Sequence, residues 1–218
     1  MRLDLHIHSK YSYDSFSDPS KIVKAAQKKG LDVISITDHD NMEVYENFPR
    51  GRGRGRGDDV VVIPGMEIKT EMGDVIGLFL DKEVRSRSFF DVVCEIRDQD
   101  GIVVLPHPFR RKCDPDGLIG SVDLVEVINA RSRNVENVDA WKLCERFDKT
   151  PITGSDAHTY FEIGRAVTEI EGYSDDLDEL KTILLNSERN CCGKETPFYI
   201  SHGYSFITSR IKRLKGRL

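Results

Sequence analysis

Five short apolar runs each end in residues that bind metal ions. Leu3-Asp4-Leu5 leads into His6-Ile7-His8, Val33-Ile34-Ser35-Ile36 into Thr37-Asp38-His39, and Val60-Val61-Val62-Ile63 into Pro64-Gly65-Met66-Glu67. Ile102-Val103-Val104-Leu105 then leads into Pro106-His107-Pro108, and Ile152-Thr153-Gly154-Ser155 into Asp156-Ala157-His158. Side chains alternate along a strand, so His6 and His8 share a face. A single histidine at a strand end is more often structural than a ligand. Here five of the six histidines occupy such ends, together with Glu67 and Asp156. Imidazole and carboxylate together suit zinc, manganese or iron, and the lack of cysteine at these positions argues against a structural zinc. The sixth histidine, His202, falls in the C-terminal tail and reads as structural or exposed.

Helical patterns separate the runs. Asp18 can cap a helix that has Pro19 at its first position, Ile22, Ala25 and Ala26 on its inner face and Gly30 as its stop. Ser88 can cap a second, Asn134 opens a third, and Ser174 or Asp176 opens a fourth. Strand and helix alternating in this way predict right-handed parallel crossovers. Residues 67–80 break the rhythm with two extended runs meeting near Met72-Gly73, which predicts a hairpin. Leu124-Val125-Glu126-Val127-Ile128 adds a strand. About seven strands in 218 residues fall short of the common eightfold barrel of about 250 residues. The expectation is a single-domain α/β fold, a distorted, TIM-like (β/α)7 barrel over residues 1–195. Residues 196–218 form a basic extension, helical and docked on the barrel through the stripe Ile207, Ile211, Leu214 and Leu218.

Composition narrows the class. A hydrophobic fraction of 39% and a charged fraction of 32% are those of a soluble globular protein. No stretch approaches the ~20 apolar residues of a membrane span, and the first strand begins too early for a signal peptide, so a cytoplasmic protein is expected. The five cysteines lack a Cys-x-x-Cys pair and read as reduced, mostly buried thiols. A net charge of −5 argues against wholesale nucleic-acid binding. Arginine and glycine alternate through residues 50–57. That stretch reads as a solvated loop at the barrel bottom, away from the strand ends where such barrels carry their sites, rather than as a nucleic-acid contact.

The set Asp4-Leu5-His6-Ile7-His8-Ser9, Thr37-Asp38-His39, Gly65-Met66-Glu67, Pro106-His107-Pro108 and Gly154-Ser155-Asp156-Ala157-His158 resembles the PHP family, named for polymerase and histidinol phosphatase. The resemblance implies a distorted barrel with two or three divalent ions (zinc, manganese or iron, rather than magnesium) and hydrolysis of phosphate esters. By position, His6, His8, Glu67 and Asp156 resemble the ligands of one ion. Glu67 would bridge to a second, held by His107. His39 and His158, with Asp14 from the loop after the first strand, resemble the ligands of a third. Relatives often carry a histidine in the hairpin after the bridging glutamate; this chain has none, and Asp74 is the nearest substitute. Glu126 and Asn129 resemble a polar pair behind the ligands.

The expected nucleophile is a metal-bound hydroxide, with no side-chain nucleophile in evidence. Arginines suit the substrate phosphate, and Arg110, Arg111, Arg131 and Arg133 all follow strand ends. Only residues 68–106 separate Glu67 from His107, too few for the inserted cap domain of some relatives. A small phosphomonoester such as a nucleotide or sugar phosphate is the expected substrate. A nuclease acting on DNA or RNA ends is the alternative, and a non-catalytic metal-binding scaffold a weaker one. No membrane or protein partner is implied.

Overall fold

The apolar runs pair side by side because each is too short and too apolar to be satisfied alone. In the computed structural model, which describes residues 1–47, 51–52, 60–197, 200 and 203–215, the chain runs β1 (Arg2–Ile7), α1 (Pro19–Lys28), β2 (Val33–Ile36), α2 (Val44–Asn47), β3 (Gly51–Arg52), β4 (Val61–Thr70) and β5 (Gly73–Leu78). It continues through α3 (Phe89–Arg97), β6 (Ile102–Leu105), two 3-10 turns, β7 (Leu124–Asn129), α4 (Asn134–Arg146) and β8 (Thr150–Gly154). The last elements are β9 (Ala166–Ile170), α5 (Leu177–Asn186), β10 (Arg189–Gly193) and α6 (Tyr204–Lys215).

One sheet carries the order β10-β9-β1-β2-β4-β5-β6-β7-β8, with β3 beside β4. The pairs β1–β2, β2–β4, β6–β7 and β7–β8 are parallel. The expected hairpin is β4–β5, so β5 sits antiparallel between β4 and β6. The ring nearly closes where Ile7 bridges Ala157. There His8 N donates to Ala157 O at 2.8 Å and Ala157 N to His6 O at 3.3 Å. The result is a distorted, nearly closed α/β barrel.

Strands β9 and β10, which the apolar runs do not foretell, pair antiparallel to each other, and β9 pairs antiparallel to β1. The exposed pattern of Arg189–Gly193 has no buried alternation to betray a strand.

Two layers of apolar side chains hold the barrel. Leu3, Leu5, Val33, Ile63, Ile76, Val104, Leu124 and Ile152 pack with Leu180 and Leu184 of α5 in one cluster. Ile7, Ile22, Ala26, Ile34, Ile36 and Phe89 belong to the cluster under the helices. β1 contributes to both because its register against β2 shifts between Asp4 and Ile7. This bulge moves the strand's odd positions from one layer to the other and lets the same strand present Leu3 and Leu5, then His6 and His8, toward the interior. Simple alternation could not do both.

The helix starts follow local chemistry. Asp18 accepts from Ser20 N ahead of Pro19, and Asp176 accepts from Asp178 N and Glu179 N. Ser88 holds the expected N-cap position, but its side chain makes no capping bond; Glu71 of the β4–β5 turn instead accepts from Phe89 N at 3.0 Å, tying α3 to the hairpin.

The tail helix α6 lies against the barrel by a different face from the expected one. Ile207, Ile211 and Leu214 are exposed, while Thr208 is buried, Arg131 donates to Ser205, and Lys212 donates to Lys10 O and Ser12 O. The polar face finds partners on the barrel surface, an arginine and two backbone carbonyls, that the apolar stripe could not use. His202 and Leu218 lie outside the described residues. Of residues 50–57, only Gly51 and Arg52 are described; they pair with Val62 and Val61 at the start of β4, the end remote from Glu67.

The cysteines are free, but only Cys144 is buried; Cys94 and Cys192 are exposed, and Cys113 and Cys191 lie between. Mostly buried thiols were expected, and the cysteines on the exposed sides of α3 and β10 explain the difference. Among the described residues no helix is long and apolar enough to cross a membrane.

Candidate metal centre

The carboxyl ends of β1, β2, β4, β6 and β8 converge on one buried cluster. His6 and His8 come from β1 and its end, His39 from the turn after β2, Glu67 from within β4, His107 from the end of β6, and Asp156 and His158 from the turn after β8. All of these except partly buried His39 are buried. His6 Nε2 lies 3.4 Å from Glu67 Oε2 and 3.7 Å from Asp156 Oδ1. His8 Nε2 lies 3.3 Å from each of the same two oxygens. Four donors around one cation, at ligand distances of about 2.1 Å, stand roughly 3.4 Å apart along the edges of a tetrahedron. The fit extends to satisfaction: His6 Nε2 and His8 Nε2 are buried without a hydrogen-bond partner, a costly condition that a cation between them removes.

The remaining donors form adjoining groups. Asp14 Oδ2 is 2.9 Å from His158 Nε2 and 3.5 Å from His39 Nε2, and this set closes on His8. Asp14 Oδ1 is also buried and unpartnered. Glu67 Oε1 lies 3.0 Å from His107 Nε2, and Asp74, at the start of β5, joins this pair. Glu67 Oε2 also lies 3.1 Å from His39 Nδ1, so one carboxylate faces four imidazoles. Every residue of the sequence-read ligand set is therefore brought together, Asp14 and Asp74 included.

Surrounding groups fix the rings. Glu126 Oε1 is 2.9 Å from His6 Nδ1 and so assigns the proton to that nitrogen, turning Nε2 to the centre. Glu126 Oε2 accepts from His107 N and from Asn129 Nδ2. His158 Nδ1 donates to Asp156 O at 2.8 Å. Asp38, between the motif residues Thr37 and His39, is not among these donors: it accepts from Ser9 N and Ser9 Oγ, and burial pushes its carboxyl up to about 6. His107 and Asp156 both adopt positive φ, 29° and 52°. Non-glycine residues in that region store strain, which functional sites commonly hold.

The charges show what this cluster costs without a cation. Burial disfavours protonation of His6, yet Glu126, Glu67 and Asp156 overcome it and hold it well above its ordinary range. His39 rises against burial to about 9, chiefly through Glu67 and Asp14. His8 falls to about 3, through burial and then the charges of His158 and His39. Burial opposes ionisation of Glu67 and Asp156, but the imidazoles around them depress both well below the carboxylate range. Asp74 shifts upward through burial and then Glu67. Packing so many opposed charges together has no structural return unless cations replace the protons.

A pocket of about 320 Å³ opens over the cluster, lined by Tyr13, Asp14, His39, Glu67, Asp74 and His107, with Arg110, Arg131, Asp156 and His158, and by Ser205, Phe206 and Ser209 of α6. The four sequence-read arginines separate here. Arg110 reaches Asp156 Oδ2 at 2.9 Å with its side chain one-third exposed. Arg131 is buried against Glu162 at 2.9 Å. Arg111 instead donates to Met72 O, Asp74 O and Pro106 O, bracing the β4–β5 turn. Arg133 lies on the surface with Glu136 at the start of α4. Neither of these two lines the pocket.

Sequence reading passed over Glu162, whose Oε2 accepts from His158 N, Thr159 N and Thr159 Oγ1, so that it shapes the turn carrying His158. Its only signal is an acid four residues beyond a ligand. It also passed over Tyr13, whose ring stacks on His39 at 4.7 Å, and the three pocket residues of α6, which no motif marks.

Comparison with known proteins agrees with this geometry. The PHP domain family model matches residues 4–184. An uncharacterised protein of Methanocaldococcus jannaschii is 33% identical over 178 residues, covering 76% of this chain and 69% of its own length. Among solved structures, a two-domain protein of Bacteroides vulgatus, described as containing a predicted PHP-like metal-dependent phosphoesterase, superposes with a TM-score of 0.70 at 20% identity, over 95% of this chain and 69% of that one. The lesion-specific endonuclease EndoQ of Pyrococcus furiosus superposes with a TM-score of 0.61 at 17% identity, over 88% of this chain and 58% of that one. At such identities the two solved structures share a fold with this protein, and the family match, which spans every donor residue, places the chain in the PHP family.

Proposed function

We propose that this protein is a metal-dependent phosphomonoesterase acting on a small phosphorylated compound, a nucleotide or a sugar phosphate. The observation that carries the reading is the set of buried, unpartnered imidazole nitrogens of His6 and His8, spaced for a cation with Glu67 and Asp156. One ion would be held by His6, His8, Glu67 and Asp156, a second by Glu67 and His107 with Asp74, and a third by Asp14, His39 and His158. Imidazole and carboxylate donors favour zinc, manganese or iron. Bound divalent ions supply an acidified water and charge neutralisation for a phosphoryl group.

The chain's own residues do the rest. Glu126 and Asn129 keep His6 and Asp156 oriented, and Glu162 keeps His158 in place. Arg110, cationic and turned into the pocket, binds phosphoryl oxygen. Arg131 contributes its charge from behind, through a guanidinium already fixed by Glu162.

The endonuclease neighbour keeps a nuclease as the second reading. Product analysis separates the two. A purified, metal-loaded sample incubated with 5′-phosphorylated oligonucleotides and with mononucleotides should release inorganic phosphate alone. Shortened oligonucleotides or released mononucleotides would overturn the monoesterase reading in favour of the nuclease.

A further inference from the structure

The family match ends at residue 184, yet the pocket over the metal centre is walled on one side by Ser205, Phe206 and Ser209. This wall is held at two points. Arg131 Nη1 donates to Ser205 Oγ at 2.9 Å, and the same arginine pairs with Glu162, which shapes the His158 turn. Lys212 Nζ donates to Lys10 O and Ser12 O, in the loop that carries Tyr13 and Asp14. Thus α6 is fastened directly to the loops after β7 and β1, and through Arg131 and Glu162 to the turn after β8.

The side chains it presents have defined hydrogen-bonding roles. Ser205 Oγ already accepts from Arg131 and so keeps its proton to donate. Ser209 Oγ donates to Phe206 O at 3.0 Å and so keeps lone pairs to accept. Phe206 is 62% exposed although it lines the pocket. The Arg210 guanidinium lies over its ring, 5.3 Å from the centroid, which steadies the ring. Tyr13, half exposed and stacked on His39, lines the same pocket. Arginines and metal donors thus occupy the floor, and two aromatic rings with a donor–acceptor pair of hydroxyls form the wall.

We propose that α6 is the element that selects the alcohol side of the phosphate ester, and that it favours a leaving group with a flat ring bearing a polar edge. The ring packs on Phe206, and the edge meets Ser205 and Ser209. The proposal rests on the phosphomonoesterase reading for its substrate, while its binding consequence does not require turnover.

The test uses the full-length, metal-loaded protein with two probe pairs. Phenyl phosphate and glycerol 2-phosphate report hydrolysis; phenylphosphonate and methylphosphonate report equilibrium binding by calorimetry. Phe206→Ala should weaken phenylphosphonate binding and raise KM for phenyl phosphate, each by roughly five- to tenfold, with kcat and both non-ring probes within twofold of wild type. Ile207→Ala, on the exposed face of the same helix, should change neither pair. Equal losses for ring and non-ring probes in Phe206→Ala, no loss for either, or the same loss in Ile207→Ala would overturn the proposal. Ring-selective binding without hydrolysis of any ester would sink the phosphomonoesterase reading while leaving this one standing.

Discussion

Glu67 and Asp156 are each held ionised by the charges around them, and His6 and His39 carry the protons that cations would displace. His39 sits near 9 and His6 well above its ordinary range in the metal-free protein. Both are therefore protonated at pH 7, and a metal can bind only as they lose those protons. Metal affinity should accordingly rise as pH increases from 6 toward 9. Titrating the metal-free protein with Zn²⁺ at pH 7, in two buffers of different ionisation enthalpy, should show proton release, with apparent heats that differ between the buffers. Heats independent of the buffer would mean that His6 and His39 are not the groups being displaced.

The ligand positions were the most legible part of the chain because each closes an apolar run, and the run fixes where its end must lie. Asp14 and Asp74 lacked such a frame and were placed by resemblance alone. The arginines were legible only as loop residues. Arg110 and Arg111 are neighbours in sequence, yet one faces the pocket and the other is spent on three backbone carbonyls. Residue type could not separate them.

Elements matter here through how closely they approach one another. β1 and β8 meet where Gly154 passes His6 and Glu126: a Cβ built on Gly154 would stand 2.5 Å from His6 Cβ and 2.1 Å from Glu126 Oε1. Neither neighbour can yield, since His6 and Glu126 are hydrogen-bonded to each other and buried. Gly154→Ala should therefore cost about 1–3 kcal/mol of stability by overpacking and should also lower metal affinity by turning His6. A chemical denaturation midpoint measured beside a chelator competition checks both effects. A variant with unchanged midpoint and metal affinity would show that the strands are not in this register.

The bulge in β1 is the counterpart of this close approach. A period-two pattern puts Leu3, Leu5 and Ile7 on one face and His6 and His8 on the other, and the apolar layers are instead exchanged between Leu5 and Ile7. No residue in Asp4–Ile7 announces the bulge, a register shift against β2 that shows only in the paired sheet. β9 and β10 escaped notice for a related reason: their value lies in covering the open side of β1, which is a property of the assembled sheet.

At the scale of the whole molecule, a barrel of short apolar strands brings donors from residues 6 to 158 into one buried cluster, and a helix from beyond the family match supplies the pocket's last wall. The barrel was readable because the alternation of strand and helix constrains topology strongly. The docking face of α6 was not, because an apolar stripe and a polar face compete for the same surface, and the winner depends on carbonyls and an arginine more than 60 residues away. The central claim is that the cluster binds divalent ions in order to hydrolyse phosphate esters, and its most direct test is inorganic phosphate release from an aryl phosphate by Mn²⁺-loaded wild type and Asp156→Asn, with folding of both verified by circular dichroism. Metal-dependent release by the wild type, at least a thousandfold above a folded Asp156→Asn (roughly 4 kcal/mol in the barrier), is the predicted result; no release by the loaded wild type, or comparable release by both proteins, would contradict it.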